Sequence, residues 1–466
     1  MVPARRWGAT LGALFALAVA IAFRIPSFLS TRHLGYDDSV YSSSVMLMRT
    51  GLDPYSDFFA SQGPLFLPLL RLFDMTGIGG VRAPRLAMVA TGAALGAGLY
   101  LIASRNHGPY RSGVAALTGA SSGVLLIAAG PLQSDGLALA FGLFAIAAAS
   151  GNLSEKQWLA PAAGVLLGMA LATKSLHLLP IALVVLTLIV IRGSRSALTA
   201  FLLSTAFTGV LVTWPWGFEE VWNQYVLFHL SKSAPLDPIG NVAALADLLW
   251  AQELPLIVLL ATGLALRLRR PSLTFSRPLA GAAIPGWLLW AWTISTLTVI
   301  IFITGSGIGF SRFGAFLIPP LILLAMRSSL PTWLAFGFVI LAIPYQWSAI
   351  RFTNVVTPTQ AETEVIAILS DLPEDSYIVT DAPGLAWSAG RLSHPDTVDS
   401  SYARIETGSI TQADVATATE DSRSCAYVPW SGRFGAFGPL TTPPAYGIAL
   451  DSSRGFVAVR VACQTP

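Results

Sequence analysis

Apolar runs long enough to cross a bilayer recur through the first 350 residues, and they restrict the fold more than any other feature. A transmembrane helix needs about 20 mostly apolar residues. Soluble domains carry roughly 25% charged residues, whereas this chain has 11%. The sequence therefore predicts an α-helical polytopic membrane protein. The pattern indicates eleven spans, at approximately residues 8–28, 84–103, 112–130, 133–150, 158–173, 176–192, 197–214, 254–268, 283–304, 313–327 and 330–347.

The long apolar run from Leu159 to Ile191 decides the number of spans. As a single helix it would be about 50 Å long, against a hydrocarbon core of roughly 30 Å. We therefore divide it into two short spans at the polar stretch Thr173–His177. The first segment of the chain has the basic start of a signal peptide, but no small-x-small cleavage site follows, so we interpret it as a retained span.

Charge is distributed unevenly between the two sets of loops. With a cytoplasmic N-terminus, the inner loops hold twelve basic residues against one acid, Glu155, which agrees with the positive-inside rule. The acids lie in the outer loops, and eleven spans place the C-terminus outside. The inner basic residues are Arg5, Arg6, Arg105, Arg111, Lys156, Arg192, Arg195, Arg267, Arg269, Arg270, Arg277 and Arg327.

Two outer segments have apolar faces and are predicted to form short helices in the membrane interface. The first contains "SVYSSSVMLMRTG" and "GPLFLPLLRLF", separated by the turn signal "GLDPYSD". The second contains "GFEEVWNQYVLFHLSKSA" and "NVAALADLLWAQ". Trp222, Tyr225 and Trp250 in this second segment suit the headgroup level, where aromatic residues are enriched.

The composition changes at about Arg351, where the chain becomes polar and rich in Thr, Ser and Asp. We predict a transmembrane domain over residues 1–350, with its first outer loop at 29–83, and a small extracytoplasmic α/β domain over 351–466. The cysteines of the chain, Cys425 and Cys463, both fall in this second domain. An oxidising compartment favours a disulfide between them, and two buried free thiols are the alternative.

The sequence excludes several common classes of activity. It has no GxxxxGK[ST], HExxH or CxxC motif, so soluble ATPase and zinc protease functions find no support. The formal net charge of +3 is too small to indicate a nucleic-acid partner.

Two adjacent carboxylates, Asp37 and Asp38, follow the first span in "GYDDSVY". In one interpretation, one of them caps a short helix that begins near Ser39 and the other is solvated. In the other, they supply a general base at the membrane surface, because partial burial and a like-charged neighbour both raise a carboxylate pKa. The residues alone leave both interpretations open.

The stretch "DDSVYSSSVMLMRTGLDPYSDFFASQGPLFLPLLR" resembles the first outer loop of GT-C superfamily membrane glycosyltransferases. This group contains protein O-mannosyltransferases and lipid A aminoarabinose transferases. The shared pattern is an acidic pair, an aromatic residue, a "P-Y-x-D" segment and a proline turn. Gly63 departs from it where many members have proline, and Asp38 stands where Glu is more usual. "LATKSLHLLP", "FSRFGAFLIPPLILLA" and "VTDAPGLAWSAGR" are similar to later motifs of the superfamily.

The resemblance implies a GT-C-like fold and an inverting glycosyltransferase in the bacterial cell membrane. Mannose, arabinose or a similar sugar would move from a polyprenyl-phosphate donor to a hydroxyl of an acceptor glycan, lipid or protein. Asp37 matches the general base, and Asp38 would orient the acceptor or tune that base. The residues that would lie near the acceptor or a metal are Tyr41, Tyr55, Asp57 and Asp135. A divalent cation stays open, because metal use varies across the superfamily.

A leaving phosphate needs cations, and three candidates lie on the predicted outer face: Lys174, His177 and Arg312. Arg312 can grip phosphate oxygens through two parallel hydrogen bonds. The alternatives are a snorkelling lysine, a structural histidine and an interfacial arginine. For Asp135 and Asp57 the alternatives are capping of a helix and of a turn. In the C-terminal domain, Asp381, Trp387 and Arg391 could contact an acceptor glycan or serve the fold itself.

The rival function is a transporter or flippase of a lipid-linked substrate, because ionisable residues in a membrane suit either function. Transporters often show paired repeats with sites near the midplane. Here the polar groups gather at one edge of the predicted membrane domain, which favours chemistry at the surface.

Overall fold

The computed structural model describes residues 3–174, 176–231, 236–269, 284–304, 310–327, 331–345, 357–438 and 441–463. The first α-helices are α1 (Pro3–Ala22), α2 (Ile25–Leu29), α3 (Tyr36–Arg49), α4 (Phe66–Asp74), α5 (Leu86–Ser104), α6 (Pro109–Ala120), α7 (Gly123–Ala129), α8 (Ser134–Ala149), α9 (Leu159–Leu171), α10 (Leu179–Arg192) and α11 (Arg195–Thr213). Next come α12 (Phe218–Val221), α13 (Phe228–Ser231), α14 (Pro238–Arg269), α15 (Gly286–Phe302), α16 (Phe310–Phe313), α17 (Ile318–Met326) and α18 (Thr332–Tyr345). The C-terminal helices are α19 (Gln360–Ser370), α20 (Pro383–Ser388), α21 (Tyr402–Glu406) and α22 (Gln412–Glu420). The strands are β1 (Tyr377–Thr380), β2 (Leu392–Ser393), β3 (Ser424–Val428), β4 (Tyr446–Ser452) and β5 (Gly455–Arg460).

The chain divides into two compact units built from segments that are distant in sequence. The helical unit consists of Met1–Phe28, Ala87–Val212 and Ala234–Asn354. The sheet unit consists of Leu29–Leu86, Thr213–Ser233 and Val355–Pro466. The first outer loop, which the sequence analysis assigned to the transmembrane domain, therefore belongs with the C-terminal domain. The predicted boundary at residues 350–351 lies outside the described residues.

Every predicted span coincides with an apolar helix. Among the described residues, Gly80–Ser104, Arg195–Trp216 and Pro238–Ala265 are long and apolar enough to cross a membrane, and α6 with α7, bent by 60°, would be a fourth span if counted together. Apolar helices of 10–17 residues account for the other predicted spans. In the helical unit they pack around a core that includes Leu95, Leu143 and Trp292, all fully buried. The number of membrane crossings stays a prediction.

Helix α14 consists of two helical segments that meet where the sequence predicted a division. The segment with "NVAALADLLWAQ" and the predicted span from residue 254 are separated by a kink at Glu253, whose φ of −132° is not helical. Pro255, two residues later, explains the kink, because proline lacks the N–H of the helical ladder and its ring clashes with the preceding turn.

Helix α3 is not the interfacial helix that the sequence predicted. All side chains from Asp38 to Leu47 are buried, whereas an interfacial helix keeps one face wet. The helix packs against α4 and α20, and Ser43 Oγ donates to the Pro383 carbonyl at 3.0 Å. Ser42 Oγ donates to the Asp38 carbonyl. The serine run can be buried because its small side chains satisfy their hydroxyls on nearby backbone.

The second outer segment also differs in part. Trp222 and Trp250 are exposed, as expected of headgroup-level residues, but Tyr225 is buried. Tyr225 lies in a π-helical turn, Trp222–Leu227, between α12 and α13. This turn belongs to the sheet unit and contacts the first outer loop through Gln224, as described below.

The C-terminal domain is an α/β fold, as predicted. Its sheet has the order β2-β1-β3-β5-β4, with β2, β1 and β3 parallel and β5 and β4 antiparallel. Ile378 and Val379, adjacent on β1, pack into separate clusters on opposite faces, because successive strand residues alternate. Cys425 and Cys463 form a disulfide with Cα atoms 5.6 Å apart.

Candidate functional site

Asp38 forms a closed ion pair with Arg85. The helix α3 begins at Tyr36 rather than at Ser39, so both carboxylates lie in its first turn. Arg85 Nη2 donates to Asp38 Oδ2 at 2.5 Å and Nε donates to Oδ1 at 3.3 Å. The Leu34 N–H also donates to Oδ2, at 2.9 Å. Both side chains are at most 1% exposed. The arrangement matches a bidentate arginine–carboxylate pair, which fixes both partners.

Arg85 itself connects several segments of the sheet unit. It donates to the carbonyls of Ser30 and Arg32 at 2.7 and 3.0 Å, and its guanidinium lies 4.9 Å from the Trp387 ring centroid. The sequence analysis did not single out Arg85. The available signal was an arginine just before an apolar helix in "GVRAPRL", although the same pattern fits an interfacial anchor.

Asp37 is the accessible member of the pair. It is half-buried, whereas its neighbour is sealed. A proton acceptor must be reachable by its substrate, and Asp37 is the member of the pair that stays reachable. The division of roles between the two acids was implied by their match to the superfamily's acidic pair, and it stays a prediction.

The other predicted residues of the first loop have mainly local contacts. Tyr41 packs edge-on against Phe66, with ring centroids 4.9 Å apart. Asp57 is exposed and its Oδ2 accepts from the Asp53 N–H at 2.7 Å, which is the turn cap weighed as its alternative. Tyr55 is buried and its hydroxyl donates to the Gln62 carbonyl at 2.5 Å.

Tyr55 adopts a left-handed backbone conformation, with φ of 73°. Such a conformation is uncommon for a bulky residue and requires support from its surroundings. Gln224 supplies it: its Nε2 donates to the Tyr55 carbonyl at 2.6 Å, and its Oε1 accepts from the Ala60 N–H at 2.8 Å. Gln224 thereby fixes the shape of the loop from both sides, a role that the sequence did not indicate.

In the helical unit, the four polar residues singled out from the sequence gather around Phe313. His177 stacks on its ring at 4.0 Å between centroids, and Lys174 Nζ and the Arg312 guanidinium lie 5.8 and 5.4 Å from the ring centroid. Lys174 Nζ is 3.7 Å from Asp135 Oδ1. We call these residues the cation cluster; it joins Asp135, Lys174, His177, Arg312 and Phe313.

Lys174 and His177 lie in the connection between two helices. Helix α9 ends at Leu171, and a 3₁₀ turn covers Leu176–Leu178. His177 is buried and its Nε2 shares a hydrogen bond with Thr304 Oγ1 at 3.1 Å, which fits the structural role weighed for it. Residues 305–309, before Arg312, lie outside the described residues.

The short helix α7 lies against two members of the cation cluster. A Cβ atom on Gly136, next to Asp135, would come within 2.5 Å of the Ala128 carbonyl on α7. A Cβ on Gly314, two residues after Arg312, would come within 2.6 Å of Leu248 Cδ2 on α14 and would be at an ordinary contact distance, 3.5 Å, from Val124 Cγ1 on α7. Gly136 therefore allows α7 to lie close to the backbone that carries Asp135, and Gly314 allows α14 to lie close to the backbone that follows Arg312.

Two buried charges hold the break between α6 and α7. Arg24 Nη1 donates to the carbonyl of Ala120, the last residue of α6, at 3.5 Å. Glu253 Oε1 accepts from Ser122 Oγ at 2.5 Å and from the Val124 N–H at 3.0 Å, at the start of α7. Arg24 is 0% and Glu253 2% exposed. Arg24 thus lies at the C-terminal end of α6, which carries a negative partial charge, and Glu253 lies at the N-terminal end of α7, which carries a positive one.

The structure contains no metal constellation within the described residues. There, no group of three or more His, Cys, Asp or Glu side chains could hold a metal ion.

The comparisons with solved structures identify the fold. The apo structure of ArnT from Cupriavidus metallidurans matches with a TM-score of 0.64 and 14% identity, over 98% of each chain. The ArnT structure bound to undecaprenyl phosphate gives 0.62 and 16%, over 97% of this chain and 98% of that one. The Archaeoglobus fulgidus oligosaccharyltransferase AglB, in complex with an inhibitory peptide and a dolichol-phosphate, gives 0.53 and 10%, over 99% of this chain and 75% of that one. No protein-family model and no curated protein matches the chain.

These likenesses, all below 25% identity, establish architecture. The chain shares the fold of ArnT and AglB: a helical unit with several apolar helices and a small C-terminal α/β domain. The fold class expected from the sequence is confirmed.

Proposed function

We propose that this protein is an inverting membrane glycosyltransferase that uses a polyprenyl-phosphate-linked sugar. The sugar, mannose, arabinose or a related one, moves to an acceptor hydroxyl at the outer face of the bacterial cell membrane. The observation that carries the proposal is the likeness to ArnT over 98% of both chains, in a protein whose other structure is bound to undecaprenyl phosphate. A likeness of this extent includes both the membrane helices and the C-terminal domain.

In this mechanism Asp37 is the general base. The acceptor O–H bond breaks as its proton passes to the Asp37 carboxylate, and the acceptor oxygen forms a bond to the anomeric carbon. The bond from that carbon to the phosphate oxygen breaks, and polyprenyl phosphate leaves with the electron pair. Asp38 is a poor candidate for this step because both of its oxygens accept hydrogen bonds from Arg85 in a buried pair.

The cation cluster is proposed to bind the donor phosphate. Lys174 and Arg312 supply positive charge, and Asp135 holds Lys174 at 3.7 Å. Charge-assisted hydrogen bonds to phosphate oxygens are about twice as strong as neutral ones. They strengthen as the leaving phosphate gains charge, so they would favour the transition state over the bound donor.

The test uses full-length protein in nanodiscs, as wild type, Asp37→Asn and Asp53→Asn. Asp53 is an exposed acid in the same loop and serves as the matched control. Each protein receives a panel of radiolabelled polyprenyl-phosphate sugars with a membrane extract as acceptor, and release of polyprenyl phosphate is followed. We expect transfer by wild type and Asp53→Asn and a loss of about 100-fold or more in Asp37→Asn, the range for a missing general base.

Three outcomes would change the proposal. If Asp37→Asn stays active, Asp37 is not the base. If no sugar leaves the donor with any protein, the transferase function fails. If labelled lipid changes leaflet in sealed proteoliposomes and keeps its sugar, the protein is a transporter. Thermal unfolding of each variant in detergent shows whether a loss of activity reflects misfolding.

A further inference from the structure

The carboxyl ends of three parallel strands in the sheet unit bring several loops to one edge. Strand β1 is followed by Asp381, β2 by the segment His394–Tyr402, and β3 by the segment Pro429–Phe434. The strands are neighbours in the order β2-β1-β3. In open sheets with parallel strands, ligands bind in the crevice outside the carboxyl ends. This edge is therefore the expected location of a binding site in the C-terminal domain.

Asp381 shapes the loop after β3. Its carboxylate accepts hydrogen bonds from the backbone N–H groups of Trp430, Ser431 and Phe434 at 2.7, 2.8 and 3.2 Å. Asp381 is fully buried, so it serves the fold, which was one of the two roles open for it. The loop that it holds carries Arg433.

Arg433 lies between two tyrosine rings. Its guanidinium carbon is 3.7 Å from the ring centroid of Tyr36 and 5.1 Å from that of Tyr402. Nε is buried and has no hydrogen-bond partner among the described residues. No salt bridge joins Arg433 to any carboxylate in the part of the chain that the structure describes. The arginine is thus fixed in place by stacking while its charge is not neutralised by a direct partner.

Neighbouring residues hold the rings of Tyr36 and Tyr402 in position beside Arg433. The Tyr36 hydroxyl and Ser400 Oγ are 3.4 Å apart, and Asp399 Oδ1 accepts from the Ser401 N–H at 3.0 Å. Arg404 Nη1 donates to the Asp399 carbonyl at 2.6 Å. Tyr402 is 51% exposed. The site is therefore rigid on its inner side and open to solvent at Tyr402.

We propose that Arg433, stacked between Tyr36 and Tyr402, binds an oxyanion carried by the glycosyl acceptor. The inference rests on the proposed function, because it assigns the acceptor to this edge of the sheet unit. Arg433 contacts the ring of Tyr36, and Tyr36 directly precedes Asp37 in the chain. An acceptor bound at Arg433 would therefore lie next to the segment that carries the proposed base. The oxyanion is a phosphate or a carboxylate on the acceptor.

The choice of an oxyanion follows from the chemistry of the side chain. A guanidinium presents its N–H groups in a planar fork that matches carboxylate and phosphate geometry. Stacking on aromatic faces restricts this fork in advance, so less conformational entropy is lost on binding. An acceptor without charge would gain the aromatic contact but leave the fork without its matching partner.

The test compares Arg433→Gln and Arg433→Lys with Arg454→Gln as the control. Arg454 is exposed in the β4–β5 turn of the same domain. Transfer is measured in nanodiscs while the membrane-extract acceptor is varied at saturating donor. We expect the acceptor KM to rise about tenfold in Arg433→Gln, with kcat and the donor KM within about twofold of wild type, which marks loss of uniform acceptor binding. Arg433→Lys keeps the positive charge but lacks the planar fork of N–H groups, so its acceptor KM should lie between those of wild type and Arg433→Gln.

The identity of the oxyanion is tested on the acceptor side. Part of the extract is treated with phosphatase and part is amidated at its carboxylates. The treatment that removes the recognised group should raise the wild-type KM to the Arg433→Gln value and leave Arg433→Gln unchanged. If Arg433→Gln has the wild-type acceptor KM, or if neither treatment affects the wild type, the proposal is overturned.

A measurement without donor separates this proposal from the proposed function. Line broadening of inorganic phosphate in phosphorus NMR, and of acetate in carbon NMR, is followed with wild type, Arg433→Gln and Arg454→Gln. Broadening by one anion that Arg433→Gln alone reduces supports the site even if no sugar is ever transferred. If sugar is transferred but neither the line broadening nor the acceptor KM changes in Arg433→Gln, the proposed site is overturned and the transferase function stands.

Discussion

The two units each bury an ion pair, and the two pairs are built differently. In the sheet unit, Arg85 and Asp38 make two hydrogen bonds, at 2.5 and 3.3 Å, with side chains at most 1% exposed. In the helical unit, Lys174 and Asp135 are 3.7 Å apart, and Asp135 Oδ1 accepts no hydrogen bond within the described residues. The first pair is a close bidentate contact, whereas the second is a longer contact between its two charged atoms.

This difference leads to different expectations for the two pairs. Desolvating an ion pair is costly unless good geometry and additional hydrogen bonds compensate. The Arg85–Asp38 pair has both, and it connects residues 30–38 to the start of α5. We therefore expect the Arg85–Asp38 pair to serve the fold, whereas the longer Lys174–Asp135 contact belongs to the cluster for which we propose a binding role.

The largest effect is expected from breaking the Arg85–Asp38 pair. Arg85→Met leaves the Asp38 carboxylate buried without its partner, and such losses cost about 3–5 kcal/mol. We expect a strongly reduced yield of folded protein and a lower thermal unfolding midpoint in detergent. The double variant Arg85→Met/Asp38→Leu replaces the pair with apolar side chains and should recover part of the loss. A double variant no better than the single one would show that hydrogen bonds of Arg85 to Ser30 and Arg32 dominate instead.

A second test concerns Glu253, a buried acid whose partners are a helix start. Glu253→Ala removes the acceptor for Ser122 and Val124, and leaving such buried donors unsatisfied costs about 1–3 kcal/mol. Glu253→Gln keeps an acceptor oxygen and should be closer to wild type. Unfolding midpoints of the two variants give the comparison. Equal midpoints for both would show that the charge, and not the hydrogen bonds, stabilises the break between α6 and α7.

Changes to the longer Lys174–Asp135 contact should affect binding more than stability. Lys174→Gln removes one cation from the proposed phosphate site, and we expect the donor KM to rise about tenfold, equivalent to about 1.4 kcal/mol. Lys156→Gln, at an exposed lysine of the same unit, is the control. A large fall in the unfolding midpoint with an unchanged donor KM would place Lys174 with Arg85, as structural charge.

The sequence predicted the helices better than their surroundings. Every apolar run became a helix, because in a bilayer each segment must satisfy its own backbone groups. The burial of α3 could not be predicted, because "SSS" reads as polar until a partner such as Pro383 is known to lie beside it. The kink at Glu253 had a local signal in Pro255, but the carboxylate's partners at Ser122 and Val124 are 131 and 129 residues away.

For the candidate site too, individual residues could be predicted from the sequence, whereas their contacts could not. Lys174, His177, Arg312 and Asp135 were found individually by residue type and position, and the structure brings them together around Phe313. Arg85, Gln224 and Arg433 were missed because their partners are far away in the sequence. Arg85 hydrogen-bonds a residue 47 positions away and Gln224 one that is 169 positions away. Arg433 contacts Tyr36, which is 397 positions away by residue number. No local pattern encodes such contacts.

The smallest effect is expected at a third ion pair, which is partly exposed. Arg32 Nη2 donates to Glu362 Oε1 at 2.7 Å, with the Arg32 side chain 29% exposed. Burial alone would raise the pKa of Glu362, but the Thr359 N–H and Arg32 together lower it. A lowered pKa means that the unfolded chain binds more protons, so the contribution is present above the ordinary value of 4.5 and is lost as pH falls below it. We expect less than about 1 kcal/mol, because exposed pairs are screened by solvent.

The measurement is the unfolding midpoint of wild type and Glu362→Gln between pH 7 and pH 3. Glutamine can still accept from the Thr359 N–H and retains the helix cap, so the difference reports the charge. Burial lowers the pKa of nearby His33, and the Glu362 carboxylate opposes this, so part of the wild-type advantage acts through His33, and this part is also lost when Glu362 is protonated. The wild-type advantage should shrink below about pH 4.5, and Glu364→Gln, exposed on the same helix, should show no such change. An advantage that persists at pH 3, where Glu362 is protonated, would mean that it does not come from the charge of the carboxylate, and exposure would then be a poor guide to which of the three pairs depends on charge.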